Sequence, residues 1–97
     1  MQKWAFIYTS GDGEAPPVRS ETGTPACELI TVGVPDTAVD GDLIESLIAD
    51  GVQLIELCGA FGPTEAARVI EQVAGRVPLG YVTYPGSEAA GLHTLFG

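Results

Sequence analysis

The segment with the strongest structural signal is residues 52–64, VQLIELCGAFGPT. Residues 52–58 are almost continuously apolar, which is typical of a strand buried in a sheet. A glycine-bearing turn follows, and Pro63 suits the first position of a helix, because its φ is preset and it has no N–H to leave unpaired. The segment therefore predicts a strand, a tight turn and a helix in direct succession.

The same reasoning extends to the rest of the chain. Apolar or β-branched runs predict strands at 4–9, 27–34 and 78–84, and a helical apolar stripe lies between 40 and 51. A last helix is predicted from Glu88 to Phe96. The order β-β-α-β-α-β-α predicts an α/β fold, a small single-domain open sheet of about four mainly parallel strands with three helices.

Residues 10–25 are the compositionally loose part of the chain, rich in Gly, Pro and polar residues. We predict a flexible loop there, within one domain that spans 1–97. Loops of this length in compact domains are usually lids, partner contacts or disordered segments. The relative direction of the two strands on either side of it stays open.

The length and the net charge of the chain limit the partners and assemblies that we expect. The 97 residues carry four basic and thirteen acidic side chains, a net charge of −9, with no basic cluster. This balance argues against nucleic acid and anionic membrane surfaces as partners. A small α/β chain has a marginal core of its own, so we expect a homo-oligomer.

The N-terminal residues do not form a basic leader with an apolar stretch, and two cysteines do not make a disulfide framework. We therefore expect a cytoplasmic protein in a reducing compartment.

Ligands of open parallel sheets bind at the carboxyl ends of the strands. Two strand-to-helix turns meet that edge here, and the helix N-termini they deliver attract anions. Against an anion, Glu65 and Glu88 already lie in the first turns of those helices, and ordinary turn chemistry is the alternative explanation of the glycines. The candidate ligand-binding residues are Gly59, Phe61, Gly62, Thr64, Tyr84, Gly86 and Ser87.

Glu56 and Cys58 are the candidate catalytic residues. Glu56 is a carboxylate inside an apolar strand, where burial would suit it to acid–base work; an ion pair or an interface position is the alternative. Cys58 precedes a helix N-terminus, which can activate a thiol; the alternative is a small apolar core residue, because a nucleophile also needs a base. His93, in the last helix, is expected away from this edge, and no spacing supports a metal site or identifies a cofactor.

Three blocks, residues 3–8, 53–63 and 84–92, resemble a family of short, uncharacterised bacterial proteins. The resemblance covers nearly the whole chain and implies a stand-alone bacterial domain. It carries no activity or catalytic residue with it.

Two hypotheses follow for function. The first is a domain, enzymatic or not, that binds a small metabolite, with an anion as one candidate, at the carboxyl edge of the sheet. The alternative is a non-catalytic homo-oligomerisation or protein-interaction domain, with Trp4, Phe61, Tyr84, Leu95 and Phe96 in a subunit interface.

Overall fold

The computed structural model describes residues 1–97 and has the predicted α/β fold. It contains one five-stranded sheet and three α-helices, the last preceded by a 3-10 turn at Gly86–Glu88. The strands are β1 (Lys3–Thr9), β2 (Val18–Thr24), β3 (Cys27–Val34), β4 (Ile55–Leu57) and β5 (Leu79–Tyr81), and the helices are α1 (Gly41–Ala49), α2 (Pro63–Val73) and α3 (Ala89–Phe96). No helix combines the length and the apolar character that crossing a bilayer requires.

The strand order in the sheet is β2-β3-β1-β4-β5. β1 pairs in parallel with both β3 and β4, and β4 pairs in parallel with β5. The fifth strand, β2, pairs antiparallel with β3 and lies within the segment 10–25 that we predicted as a loop. That prediction is wrong for residues 18–24, because β2 is an edge strand with every residue exposed and so lacks an apolar period.

Both α1 and α2 pack on the same face of the sheet. The connections β3-α1-β4 and β4-α2-β5 move across the sheet in the same direction, and right-handed crossovers in one direction place their helices on one side. The connection from β1 to β3 moves the other way, but it contains β2 in place of a helix. The opposite face therefore lacks the helix that would cover it in a doubly wound sheet.

The core lies between the sheet and these two helices. Alternate strand residues supply it, such as Ala5 and Ile7 of β1, and they meet Leu47 of α1 and Val69 of α2. The 15 buried hydrophobic residues form one cluster. No polar or charged residue is buried with them.

The other face of the sheet, which we call the outer face, carries the intervening residues of each strand. In β1 these are Trp4, Phe6 and Tyr8, and the registers set Leu29, Thr31 and Glu56 beside them. The outer face is half-buried near its centre and exposed at β2. Its residues are Trp4, Phe6, Tyr8, Val18, Ser20, Thr22, Thr24, Cys27, Leu29, Thr31, Gly33, Glu56 and Gly80.

Candidate functional site

A cleft of about 750 Å³ opens at the carboxyl edge of the sheet, between the ends of β1 and β4 and helix α3. Clefts of roughly 300–1,000 Å³ are the usual size for small-molecule sites. Five of its nine lining residues are hydrophobic. They are Thr9, Cys58, Gly59, Ala60, Tyr84, Leu92, His93, Phe96 and Gly97.

Polar groups line the cleft at a few points. Thr9 comes from the end of β1, Cys58 from the end of β4, Tyr84 from the segment after β5, and His93 from α3. A hydroxyl, a free thiol, a phenol and an imidazole are therefore brought to one cleft. No lysine or arginine lines it, so the cleft offers no fixed positive charge.

The ring of Tyr84 lies directly over Gly59. A Cβ at residue 59 would stand 2.5 Å from the Tyr84 hydroxyl oxygen and 2.6 Å from a ring carbon, which is far inside contact distance. Gly59 therefore permits the ring to form one wall of the cleft. Tyr84 keeps 49% of its surface exposed, so this wall faces solvent as well as the cleft.

Helix α3 forms the opposite wall. Its lining residues are 92, 93 and 96, followed by Gly97 at its C-cap; these positions lie on one face because they are spaced by one, four and five residues. None of its residues is buried, and Leu95 and Phe96 are 76% and 81% exposed. The helix thus stands beside the strand ends without packing into the core.

The structure brings three of the predicted site residues to this cleft, namely Cys58, Gly59 and Tyr84. Gly62 and Thr64 lie at the start of α2 and do not line it. A Cβ at Gly62 would lie 3.1 Å from a Glu65 carboxylate oxygen, so this carboxylate already occupies the start of α2. The chain's own negative charge at this helix start disfavours the predicted anion there.

Gly86 and Ser87 are exposed in the 3-10 turn before α3 and also lie outside the cleft. Their part in the structure is to redirect the chain from β5 into α3. The turn has no side-chain cap, so the Ser87 hydroxyl is not engaged as one.

Phe61 is a core residue and not part of the cleft, which corrects its assignment both to the ligand site and to a subunit interface. It is 1% exposed and belongs to the buried cluster between the sheet and helices α1 and α2. The backbone explains the difference, because the N–H of Phe61 donates to the Cys58 carbonyl oxygen at 3.1 Å and closes a turn that directs the ring inward.

Glu56 lies on the outer face, between Phe6 of β1 and Gly80 of β5. It is half-buried, does not line this cleft, and forms none of the chain's salt bridges. The geometry therefore gives no support to acid–base catalysis by Glu56 in the cleft. Its place on an uncovered face matches the interface alternative more closely.

The comparisons with known proteins bear on the whole chain. A family model described as DUF6506, a family of unknown function, matches residues 2–97. The chain belongs to this family. Searches of curated proteins and of solved structures found no match.

In this DUF6506 member, the cleft includes residues that the sequence did not lead us to expect. His93 was predicted away from the strand edge, yet it lines the cleft with Leu92 and Phe96. The spacing of the apolar and aromatic residues in the last helix indicates that they share one face of it. Whether that face meets the strand ends depends on the direction of the helix, which is set by the turn at residues 85–88. No group of three His, Cys, Asp or Glu side chains is arranged to hold a metal ion.

Proposed function

We propose that the protein binds a small, uncharged and largely apolar molecule in the cleft at the carboxyl edge of its sheet. The observation that carries this proposal is the cleft itself, with its volume of about 750 Å³ and its convergent Thr9, Cys58, Tyr84 and His93 side chains. A mainly apolar wall with a few polar groups is the usual composition of a ligand site. Its position also agrees with the rule for ligands of parallel sheets.

Charge favours an uncharged ligand over the anion considered from the sequence. The chain carries −9, no lysine or arginine lines the cleft, and the start of α2 is occupied by Glu65. An anion would meet an unfavourable field with no fixed cation to offset it. The aromatic walls formed by Tyr84 and Phe96 suit a flat apolar body, and the hydroxyl, thiol and imidazole groups suit hydrogen bonding to its edge.

The first experiment is a thermal-shift screen of neutral, anionic and cationic metabolites. Ligand binding to the folded state raises the midpoint by mass action. We expect stabilisation by neutral compounds with an apolar body and none by phosphorylated or carboxylated analogues. Stabilisation by the anions alone would contradict the ligand class that we propose.

The two free cysteines give an internal control for the location. Cys58 lines the cleft, whereas Cys27 is exposed at the start of β3, at the opposite edge of the sheet. A hit from the screen should slow alkylation of Cys58, measured by peptide mass spectrometry, and leave the rate at Cys27 unchanged. Equal rates with and without ligand at both cysteines would place the binding site elsewhere.

A pair of glycine variants tests the cleft walls. Gly59→Ala puts a methyl group against the Tyr84 ring and should weaken binding of the same hit at least about tenfold. Gly86→Ala is the matched control, because a Cβ there meets nothing within 4 Å and residue 86 lies outside the cleft. If both variants bind like the wild type, Tyr84 does not shape the site.

A further inference from the structure

We propose that the outer face of the sheet is a homodimer interface, covered by the same face of a second copy of the chain. This inference concerns a different surface from the cleft and does not depend on ligand binding. It begins from the topology, in which the hairpin strand β2 replaces the helix that would cover this face. Parallel sheets occur almost always with both faces covered, and four of these five strands are parallel.

The composition of the outer face supports an interface. Aromatic side chains, Trp4, Phe6 and Tyr8, run along its central strand, and Leu29 lies beside them. Of the thirteen acidic residues in the chain, Glu56 is the one among the outer-face residues. Enrichment in aromatic residues and depletion of charge are the compositional marks of an interface core.

The scarcity of charge on the outer face favours a second copy as the partner. Two chains of −9 repel each other over most of their surface, and the outer face is where they meet with least charge. A strongly basic partner would find only the Glu56 carboxylate to pair with on this face, whereas a second copy presents a matching aromatic surface. Contact between identical faces is also the arrangement of a two-fold dimer, the commonest homo-oligomer.

The register suggests where Glu56 would lie. Thr31, Phe6 and Glu56 are at one level of β3, β1 and β4. A two-fold axis along β1 sets β4 of one copy over β3 of the other, so Glu56 faces the Thr31 hydroxyl, which can donate a hydrogen bond to the carboxylate. An axis across the strands would oppose the two Glu56 carboxylates and is disfavoured.

The area of the outer face sets the affinity that we expect of the dimer. Seven paired residues of β1 and β3 at ~3.3 Å each, and five strands at ~4.8 Å, give a face of roughly 20 by 20 Å, or about 400 Å² in projection for each copy. Two copies together reach ~800 Å² before side-chain relief is added, below the roughly 1,200–2,000 Å² of stable specific interfaces and in the range of weak, transient ones. The dimer should therefore dissociate on dilution.

The test is sedimentation equilibrium of the full chain from about 1 to about 500 μM, with acrylamide quenching of Trp4 as a second readout. Trp4 is the only tryptophan and lies on the outer face. We expect twice the 10.0 kDa chain mass at high concentration, with a parallel loss of quenching. A 10.0 kDa species throughout, with constant quenching, would overturn the proposal.

Two variants at one position test the geometry. Thr31→Glu would oppose the partner's carboxylate and should weaken the dimer at least about tenfold, whereas Thr31→Lys should retain or strengthen it. Both replace a half-buried threonine with a long charged side chain, so a folding defect would affect both. Ile70→Glu adds the same charge on the exposed side of α2 and should not change the dimer. Equal effects of the two Thr31 variants, or loss of the dimer in Ile70→Glu, would refute this interface.

Discussion

Replacing Phe61 with alanine separates the core role that the structure gives this residue from the ligand role that the sequence suggested. Phe61 is 1% exposed and is the largest of the fully buried side chains. Truncation of a buried phenylalanine costs about 3–5 kcal/mol, because apolar contact is lost and a cavity remains. A chain of this length has about 5–15 kcal/mol of total stability, so Phe61→Ala should be folded only marginally.

Urea unfolding followed by circular dichroism measures this cost directly, at one fixed protein concentration. The midpoint should fall strongly with little change of slope, and in a thermal scan each 1 kcal/mol should lower Tm by ~4–8 °C. Tyr84→Ala is the matched control, an aromatic truncation of a residue that is 49% exposed in the cleft. We expect it to cost less than about 1 kcal/mol.

The opposite ranking would refute this interpretation. If Phe61→Ala changes stability by less than about 1 kcal/mol, while ligand protection of Cys58 is lost, then Phe61 faces the cleft and the turn after β4 is wrongly described. If stability falls as predicted and the folded fraction still shows Cys58 protection, Phe61 supports the site only through the core.

Two predictions concern the helices. Asp40 accepts a hydrogen bond from the Asp42 N–H at the start of α1, so Asp40→Ala should cost about 1 kcal/mol in chemical unfolding, whereas Asp40→Asn should cost almost nothing. The Arg76 guanidinium donates to both oxygens of Glu45 and holds the pKa of that carboxyl below its usual value. This pair stabilises the fold above the unfolded pKa of Glu45, and its contribution is lost as pH falls through the folded pKa. The wild type should therefore have a higher Tm than Glu45→Gln near neutral pH, and this difference should disappear in acid and shrink in high salt. A Tm difference that is independent of pH would contradict a stabilising ion pair between Glu45 and Arg76.

The parallel part of the fold was accessible from the sequence because its strands and helices have distinct apolar periods. Residues 27–34 and the helix after Pro63 are clear examples. β2 was not accessible, because its residues are all exposed and its order comes from main-chain pairing with β3. Such a strand is specified by its neighbour and not by its own pattern.

The edge of the sheet that holds the cleft was also predictable, but its composition was not. Cys58 and Gly59 follow directly from the end of β4. His93 required knowing how the turn at residues 85–88 directs α3, which side-chain periodicity does not encode. Phe61 was misplaced because it belongs to a turn at the predicted ligand-binding edge, whereas the Phe61–Cys58 backbone hydrogen bond directs its ring into the core.

The replacement of a crossover helix by β2 bears on both proposals, but they concern different surfaces and can be tested separately. It leaves the outer face uncovered, and α3 at the end of the chain stands beside the strand ends without closing over that face. Thr31 lies on the outer face and does not line the cleft, whereas Gly59 lines the cleft and is not among the outer-face residues. Thr31→Glu should therefore weaken the dimer without changing ligand protection of Cys58, and Gly59→Ala should weaken that protection without changing the dimer. Loss of both properties in either variant would mean that the cleft is complete only in the dimer.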